Sequence, residues 1–309
     1  DDIAELAEHF FTRYAAEHAE LPRFGVEVNR IARRGDGFDV QTSVGLLQPR
    51  VVVVATGYNG VPNRPDWPGL DGFAGLLLHS SDYRVARPFV GKRTLVVGCG
   101  NSGAEIALDL AEQGVDVSMV VRGPVHVVPR DLFGRPSQAT SVMLSPLPAR
   151  WRDAIVGPIL RLAVGDLSRW GIRRPAVGPN RMIEEQGRIP MLDVGTVAMV
   201  KAGRIRVLPA LQSVQPDRVT LVDGSERAFD AIVLATGYSP GLARIVEGFE
   251  AIADARGRPH RFGEETAIPG LYFVGFRNPT TGALREIAIE AERAAASIVA
   301  RASAAQRVA

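Results

Sequence analysis

The stretch "LVVGCGNSGAEIALDL", Leu95 to Leu110, contains Gly98, Gly100 and Gly103 in the spacing G-x-G-x-x-G. An apolar run, "RTLVVG", leads into it, and a helical pattern from about Ser102 to Gln113 follows, with Gly114 as its stop. A second strand-like run, "VDVSMVV", ends just before Arg122. In this strand, turn, helix, strand order the three glycines have separate tasks. The first permits a tight turn, the second lets a pyrophosphate approach the backbone, and the third lets the helix pack close to the strand. The free N–H groups and positive dipole of the helix N-terminus then face the phosphates. The tip of the second strand selects the nucleotide. An acidic residue there would take the ribose 2′-hydroxyl of NAD or FAD, whereas Arg122 offers a planar cation for a 2′-phosphate. NADP is favoured; the alternative is a solvated strand-end arginine in a chain whose only lysines are Lys92 and Lys201.

The rest of the chain is read around that unit. With 309 residues, 46% hydrophobic and 23% charged, it is a globular protein large enough for one or two domains. Its 36 basic and 34 acidic side chains are dispersed, so no polycationic block points to nucleic acid or a membrane surface, and a small-molecule ligand is expected. A single cysteine, Cys99, excludes an intramolecular disulfide, a CxxC redox pair and a cysteine-based zinc site, and fits a reducing cytoplasm. The longest apolar run, "AIVGPILRLAVG", is broken by Gly157, Pro158 and Arg161 and is too short to span a bilayer. His9, His18, His126 and His260 lack metal-ligand spacing and read as surface or packing residues, so no metal is expected.

Residues 3 to 19 place Ile3, Leu6, Ala7, Phe10, Phe11 and Tyr14 at helical spacing. Three strand-like runs follow, "GVEVNRIARR", "GFDVQTSV" and "RVVVVATG", the last apolar enough to be buried on both faces. They predict a small antiparallel meander returning to a parallel sheet. The Pro-rich "NGVPNRPDWPGLDG" marks a linker or domain crossing. Further on, "RIRVLPAL", "RVTLVDG" and "AFDAIVLATGY" read as strands that finish the sheet of the glycine turn. Phe133 to Pro190 reads as an irregular helical insertion. The end, "GALREIAIEAERAAASIVARA", is a long helix with Leu284, Ile287, Ala288 and Ala291 on one face. The runs "VVVVATGYNGVP" (51–62) and "AIVLATGYSPGL" (231–242) echo each other, and each would mark a crossing between domains. No second GxGxxG precedes Gly98, and the chain opens "DDIAEL" without Met, as a fragment or processed product would.

Upstream of the turn, "FAGLLLHSSDY" sets Phe73, Gly75, His79 and Tyr83 in the spacing F-x-G-x-x-x-H-x-x-x-Y. With the glycine turn and the paired ATGY runs, this resembles the flavin-containing monooxygenases. The likeness extends through "VVRGPVHVVPRDLFG", "GRIPMLDVGTVAMVKAGRIRVLPA" and "GLYFVGF", and looks closest to the YUCCA-type indole-3-pyruvate monooxygenases. The resemblance implies an α/β flavoprotein with two dinucleotide-binding domains, a Rossmann-like NADP domain inserted into a partial FAD domain. Residues 1–57 would be the rear of the FAD domain, 58–235 the NADP domain and 236–309 the return to the FAD domain. Gly98, Gly100, Asn101, Ser102 and Gly103 would hold the NADP pyrophosphate, and Arg122 the 2′-phosphate. His79, and Thr236 and Gly237 at the second crossing, are further candidates for cofactor binding; His79 would couple the domains, or equally serve as a structural histidine capping a loop. Gly275 and Gly282 would permit close approach of the flavin, the latter opening the final helix towards it; a plain strand, turn and surface helix fits the same letters.

Tyr83 departs from the Trp of the sister Baeyer–Villiger signature. The family's first GxGxxG and active-site Asn would lie upstream of these residues, so no catalytic residue is assigned. The implied activity is a cytoplasmic, NADPH- and O2-dependent monooxygenation through a peroxyflavin, with FAD and NADP as cofactors. Its substrate would be a small organic molecule: a 2-oxo acid such as indole-3-pyruvate, or an amine or sulfide. A flavin disulfide reductase would need a cysteine pair, and Cys99 is alone. A noncatalytic NADP-binding module without FAD is the alternative from another class.

Overall fold

The computed structural model describes residues 23–277 and 279–308. The helix expected over residues 3–19 lies outside them. At the centre is a five-stranded parallel sheet in the order Ile205–Leu208, Asp116–Val120, Arg93–Val97, Ala231–Leu234 and Leu76–His79. Its inner strands are buried along nearly their whole length, as a parallel sheet covered on both faces requires. One face carries the helix Asn101–Glu112, which buries Ala104, Ile106, Ala107, Leu110 and Ala111 against Val96, Met119 and Val233. That helix ends where the letters place its stop. Gly114 is left-handed (φ 77°), its N–H bonds to Ala111 O (3.1 Å), and Val115 N–H reaches back to Leu110 O (3.0 Å).

The opposite face is covered by a separate antiparallel sheet, Leu211–Val214, Arg218–Leu221 and Glu226–Ala228. The expectation that "RVTLVDG" finishes the central sheet is therefore corrected, while its two companion strands do join it. The physical reason is connection length. Parallel pairing needs a crossover of a dozen or more residues, and only three separate Val214 from Arg218, so the chain folds back as a hairpin. Val219 and Leu221 then point at Leu95, Val97 and Ile232 beneath them.

The flanking segments form a second core. Val28–Arg34 and Gly37–Thr42 make the expected antiparallel meander, to which the short strand Gly45–Leu47 adds a third member. The valine run, as Val52–Val54, pairs in parallel with Leu271–Phe273. Its expected burial on both faces holds for Val54 but not for Val53, which is 44% exposed because among the described residues that strand has a single neighbour. Ile31, Phe38, Val54, Phe249, Phe273 and Phe276 pack together here.

The insertion between Phe133 and Pro190 is helical, as read, with helices Ser137–Leu144, Ala149–Val164 and Pro179–Gln186. The final helix, Ala283–Val308, turns a different face inward from the one expected. Glu290 and Ala294 are buried against the strand Leu271–Phe273 and Val274, whereas Leu284 is 85% exposed. Among the described residues, no helix is long and apolar enough to cross a membrane.

Candidate functional site: the nucleotide turn and the paired crossings

Each glycine of the turn meets the surroundings its task requires. A Cβ on Gly98 (φ 123°) would lie 2.3 Å from Ala235 O, so the turn is tight because the end of the neighbouring strand passes against it. A Cβ on Gly103 would lie 2.2 Å from Gly98 O and 3.1 Å from the Ala235 methyl, so helix and strand pack at a distance only glycine allows. Around Gly100 nothing stands within 4 Å of that position. The middle glycine faces open space at the N-terminus of the helix, and no side chain caps that N-terminus. Exposed N–H groups, a positive dipole end and a bare Cα together make a cradle for an anion.

Two polar residues of the turn differ in use. Ser102 is exposed, whereas Asn101 spends its carbonyl Oδ1 on Leu192 N–H (2.8 Å), tying the turn to the end of the insertion. Arg122 is exposed just past the strand Asp116–Val120 and makes no hydrogen bond or ion pair with a described residue, so its fork of donors is available to a ligand. Cys99, within the turn, is buried beside Met191, and burial pushes its thiol up to about 12, so it stays protonated and unreactive.

The two ATGY crossings lie against each other. Val61–Pro62 pairs antiparallel with Tyr238–Ser239, Asn63 N–H bonds to Gly237 O (2.9 Å), and Thr236 Oγ1 donates to Asn63 O. His79, at the end of the edge strand, joins this seam. Its Nε2 contacts Gly237 O (3.2 Å), its Nδ1 accepts from Ser81 N–H (3.1 Å), and its ring meets Tyr238 edge-on at 5.0 Å. A carbonyl can only accept and a backbone N–H can only donate, so these partners select the neutral imidazole with the proton on Nε2. Partial burial holds its pKa below the ordinary value.

The rest of that motif is a brace. Phe73 is buried under the central sheet, Gly75 leaves room for the Phe73 ring and Asp230 O, and the Tyr83 hydroxyl donates to Asp109 on the glycine-turn helix. Burial and the Asp109 carboxylate both raise the Tyr83 pKa, so its proton stays in that bond.

Gly275 and Gly282 stand apart from the turn. A Cβ on Gly275 would meet the Ile287 side chain at 3.5 Å, and one on Gly282 would lie 2.0 Å from Gln138 Nε2. Gly275 thus has only ordinary contact with Ile287, whereas the end of the Gln138 side chain fills the position over Gly282. Sequence reading missed Gln138, Asn63 and Arg152, each of which bonds to a residue more than 100 positions away along the chain. No local pattern marks them.

The arrangement defines a class, an α/β protein of the two-dinucleotide-binding flavoprotein plan. Solved structures share the fold: a flavin-containing monooxygenase from Stenotrophomonas maltophilia (TM-score 0.63, 21% identity, 93% of this chain and 75% of that one) is one. A cyclohexanone monooxygenase from Rhodococcus sp. Phi1 bound to NADP+ is another (TM-score 0.67, 20% identity, 95% and 69%). By sequence, residues 4–132 match the family described as pyridine nucleotide-disulphide oxidoreductase. The chain is 41% identical over 233 residues to the indole-3-pyruvate monooxygenase YUCCA1 of Oryza sativa subsp. japonica, covering 74% of this chain. It is 39% identical over 251 residues to YUCCA4 of the same plant, covering 81%. The resemblance to flavin-containing monooxygenases read from the motifs is borne out over that span. The chain spans 57% of the length of each of these two relatives.

Proposed function

We propose that the chain is part of an NADPH- and O2-dependent flavin monooxygenase that oxygenates a small organic substrate, and that its central sheet is the NADP-binding domain. The observation that carries the reading is the open cradle at Gly100, set between two glycines that packing demands and followed by Arg122, which has no partner among the described residues. The domains proposed are residues 1–57 and 236–309 for the FAD side and 58–235 for the NADP side. Both proposed boundaries fall at the paired crossings.

NADP fits the residues present. The N–H groups at the start of the helix Asn101–Glu112 take the pyrophosphate, with Ser102 at its edge, and Arg122 takes the 2′-phosphate. Asn101 holds the turn to Leu192, while Thr236, Gly237 and His79 hold the crossing behind it. FAD, when bound, supplies the two-electron chemistry by which hydride from NADPH activates O2. Gly275 and Gly282 do not by themselves make a flavin cradle, because Gln138 fills the space over Gly282 and the Gly275 N–H is spent on Glu290. The likeness to the two indole-3-pyruvate monooxygenases favours a 2-oxo acid of that kind over an amine or sulfide. Oxygen and the substrate are its small-molecule partners, and the cytoplasm its proposed compartment. Within this chain there is no cysteine pair for disulfide reduction, since Cys99 stands alone and is buried.

The test is a visible spectrum of the purified chain after incubation with FAD and removal of free flavin, followed by anaerobic NADPH. Retained flavin that bleaches supports the reading. Flavin that never bleaches, although NADPH binds, overturns it for this chain in favour of a noncatalytic NADP-binding module.

A further inference from the structure

The helix Ala149–Val164 buries one stripe, Ala149, Arg152, Leu160 and Val164, and in that stripe an arginine stands where the pattern calls for an apolar residue. The Arg152 side chain is 9% exposed. A buried guanidinium persists only where partners meet its charge and donors. Arg152 meets three: Nη1 donates to Asn180 Oδ1 (3.2 Å) and to Thr280 Oγ1 (3.3 Å), and Nη2 pairs with the Glu184 carboxylate. Nε has no partner among the described residues.

Two of these partners, Asn180 and Glu184, belong to the insertion itself, and Asn180 is held in place there. Asp153 Oδ1 accepts from the backbone N–H (2.8 Å) and side chain (2.9 Å) of Asn180, at the N-terminus of the helix Pro179–Gln186. Gly178 is required there, since a Cβ would lie 2.3 Å from the Asp153 carboxyl carbon. The third partner, Thr280, lies far along the chain in the loop that opens the final helix. A second side chain of the insertion reaches the same loop: Gln138 Nε2 donates to Thr281 O (3.0 Å) and lies over Gly282.

We propose that Arg152 and Gln138 are positioning residues through which the helical insertion sets the loop 279–282. The loop's own ties are to the final helix, where Glu286 accepts from Thr281 Oγ1 (2.7 Å). The insertion supplies the fixed side: the strand that follows it, Met191–Asp193, is paired with Val127–Pro129, Ser137 Oγ is bonded to Pro129 O (2.6 Å), and Leu192 is bonded to Asn101 of the nucleotide turn. The loop is thereby tied to the frame that carries the nucleotide turn. The geometry of this coupling does not depend on the monooxygenase reading; only the loop's use, next to a flavin, rests on it.

The test is hydrogen exchange at the amides of residues 281–286 in the chain without cofactors, so that its failure is separate from failure of the functional reading. Thr280→Val, close in shape and lacking the hydroxyl, should speed exchange there roughly tenfold, the size expected for loss of one hydrogen bond to a charged group. Thr280→Ser should restore slow exchange. Arg152→Met should produce the same effect, and the double variant no more than Arg152→Met alone. Gln138→Ala should speed exchange independently. Unchanged melting of the central sheet shows that the variants fold. Silent Thr280→Val and Gln138→Ala variants, with loss of stability confined to Arg152→Met, would overturn the proposal and leave Arg152 as a brace within the insertion only.

Discussion

Two glycine-bearing segments, 98–103 and 275–282, were expected to admit a cofactor, and they are built in opposite ways. At the nucleotide turn the neighbours of Gly98 and Gly103 are backbone atoms, Ala235 O and Gly98 O, while the middle glycine faces open space. In the second segment the neighbours are the side chains of Ile287 and Gln138. Backbone cannot move without shifting a strand, whereas a glutamine can swing away. The first segment is therefore a rigid cradle with one open position, and the second a loop closed by adjustable side chains from elsewhere in the chain.

Substitution of the glycines breaks or sharpens this contrast. The largest effect is expected for Gly98→Ala, which adds strain at φ 123° to a clash with Ala235 O. It should cost about 3 kcal/mol in denaturant unfolding. Gly100→Ala should stay within about 0.5 kcal/mol of the parent in stability while weakening NADP+ binding measured by calorimetry. Equal destabilisation by the two would erase the distinction between closed and open positions. For Gly282→Ala, at φ 100°, about 2 kcal/mol is expected, from backbone strain and the lost Gln138 bond to Thr281. Little further loss should follow when Gln138→Ala is added, because the two share one contact. Gly275→Ala meets only ordinary contact at 3.5 Å and should cost about 1 kcal/mol, from its φ of 86°.

The smallest effect is the pH dependence of the seam behind the turn. The His79 pKa is lowered by desolvation, so its neutral form is favoured in the folded state. Its contribution is complete above the ordinary imidazole value, about 6.5, and is lost as pH falls from there through the lower folded value. Protonation would also remove the acceptor that Nδ1 presents to Ser81 N–H. Unfolding midpoints between pH 7.5 and 5.5, in the parent and in His79→Asn, should show a steeper fall in the parent. Parallel curves would remove His79 as the cause.

What could be read from the letters divides along the same line. The strand, glycine turn, helix and Gly114 stop were legible because each is decided within a few residues, by periodicity, by φ and by helix-end geometry. The meander was legible as a motif, but its third strand, Gly45–Leu47, is short and wholly exposed and carries no alternating signal. The valine run returns to a parallel pairing, as read, but its partner strand lies more than 200 residues later and no local pattern names it. The inward face of the final helix was misjudged because its apolar letters point to solvent while a glutamate is buried. Glu290 is 1% exposed and accepts from Gly275 N–H (2.9 Å), a bond that only the tertiary fold reveals. Arg152 was hidden for the same reason, a charged letter on a helix being read by default as surface.

The central claim, that the turn and Arg122 together form an NADP site, is tested most directly by calorimetric titration of the chain with NADP+ and with NAD+, before and after Arg122→Ser. The account predicts tighter binding of NADP+ by the parent chain, and loss of roughly 1.5–3 kcal/mol of that preference in the variant. Equal affinity for the two nucleotides in the parent, or a preference that survives Arg122→Ser, would contradict it.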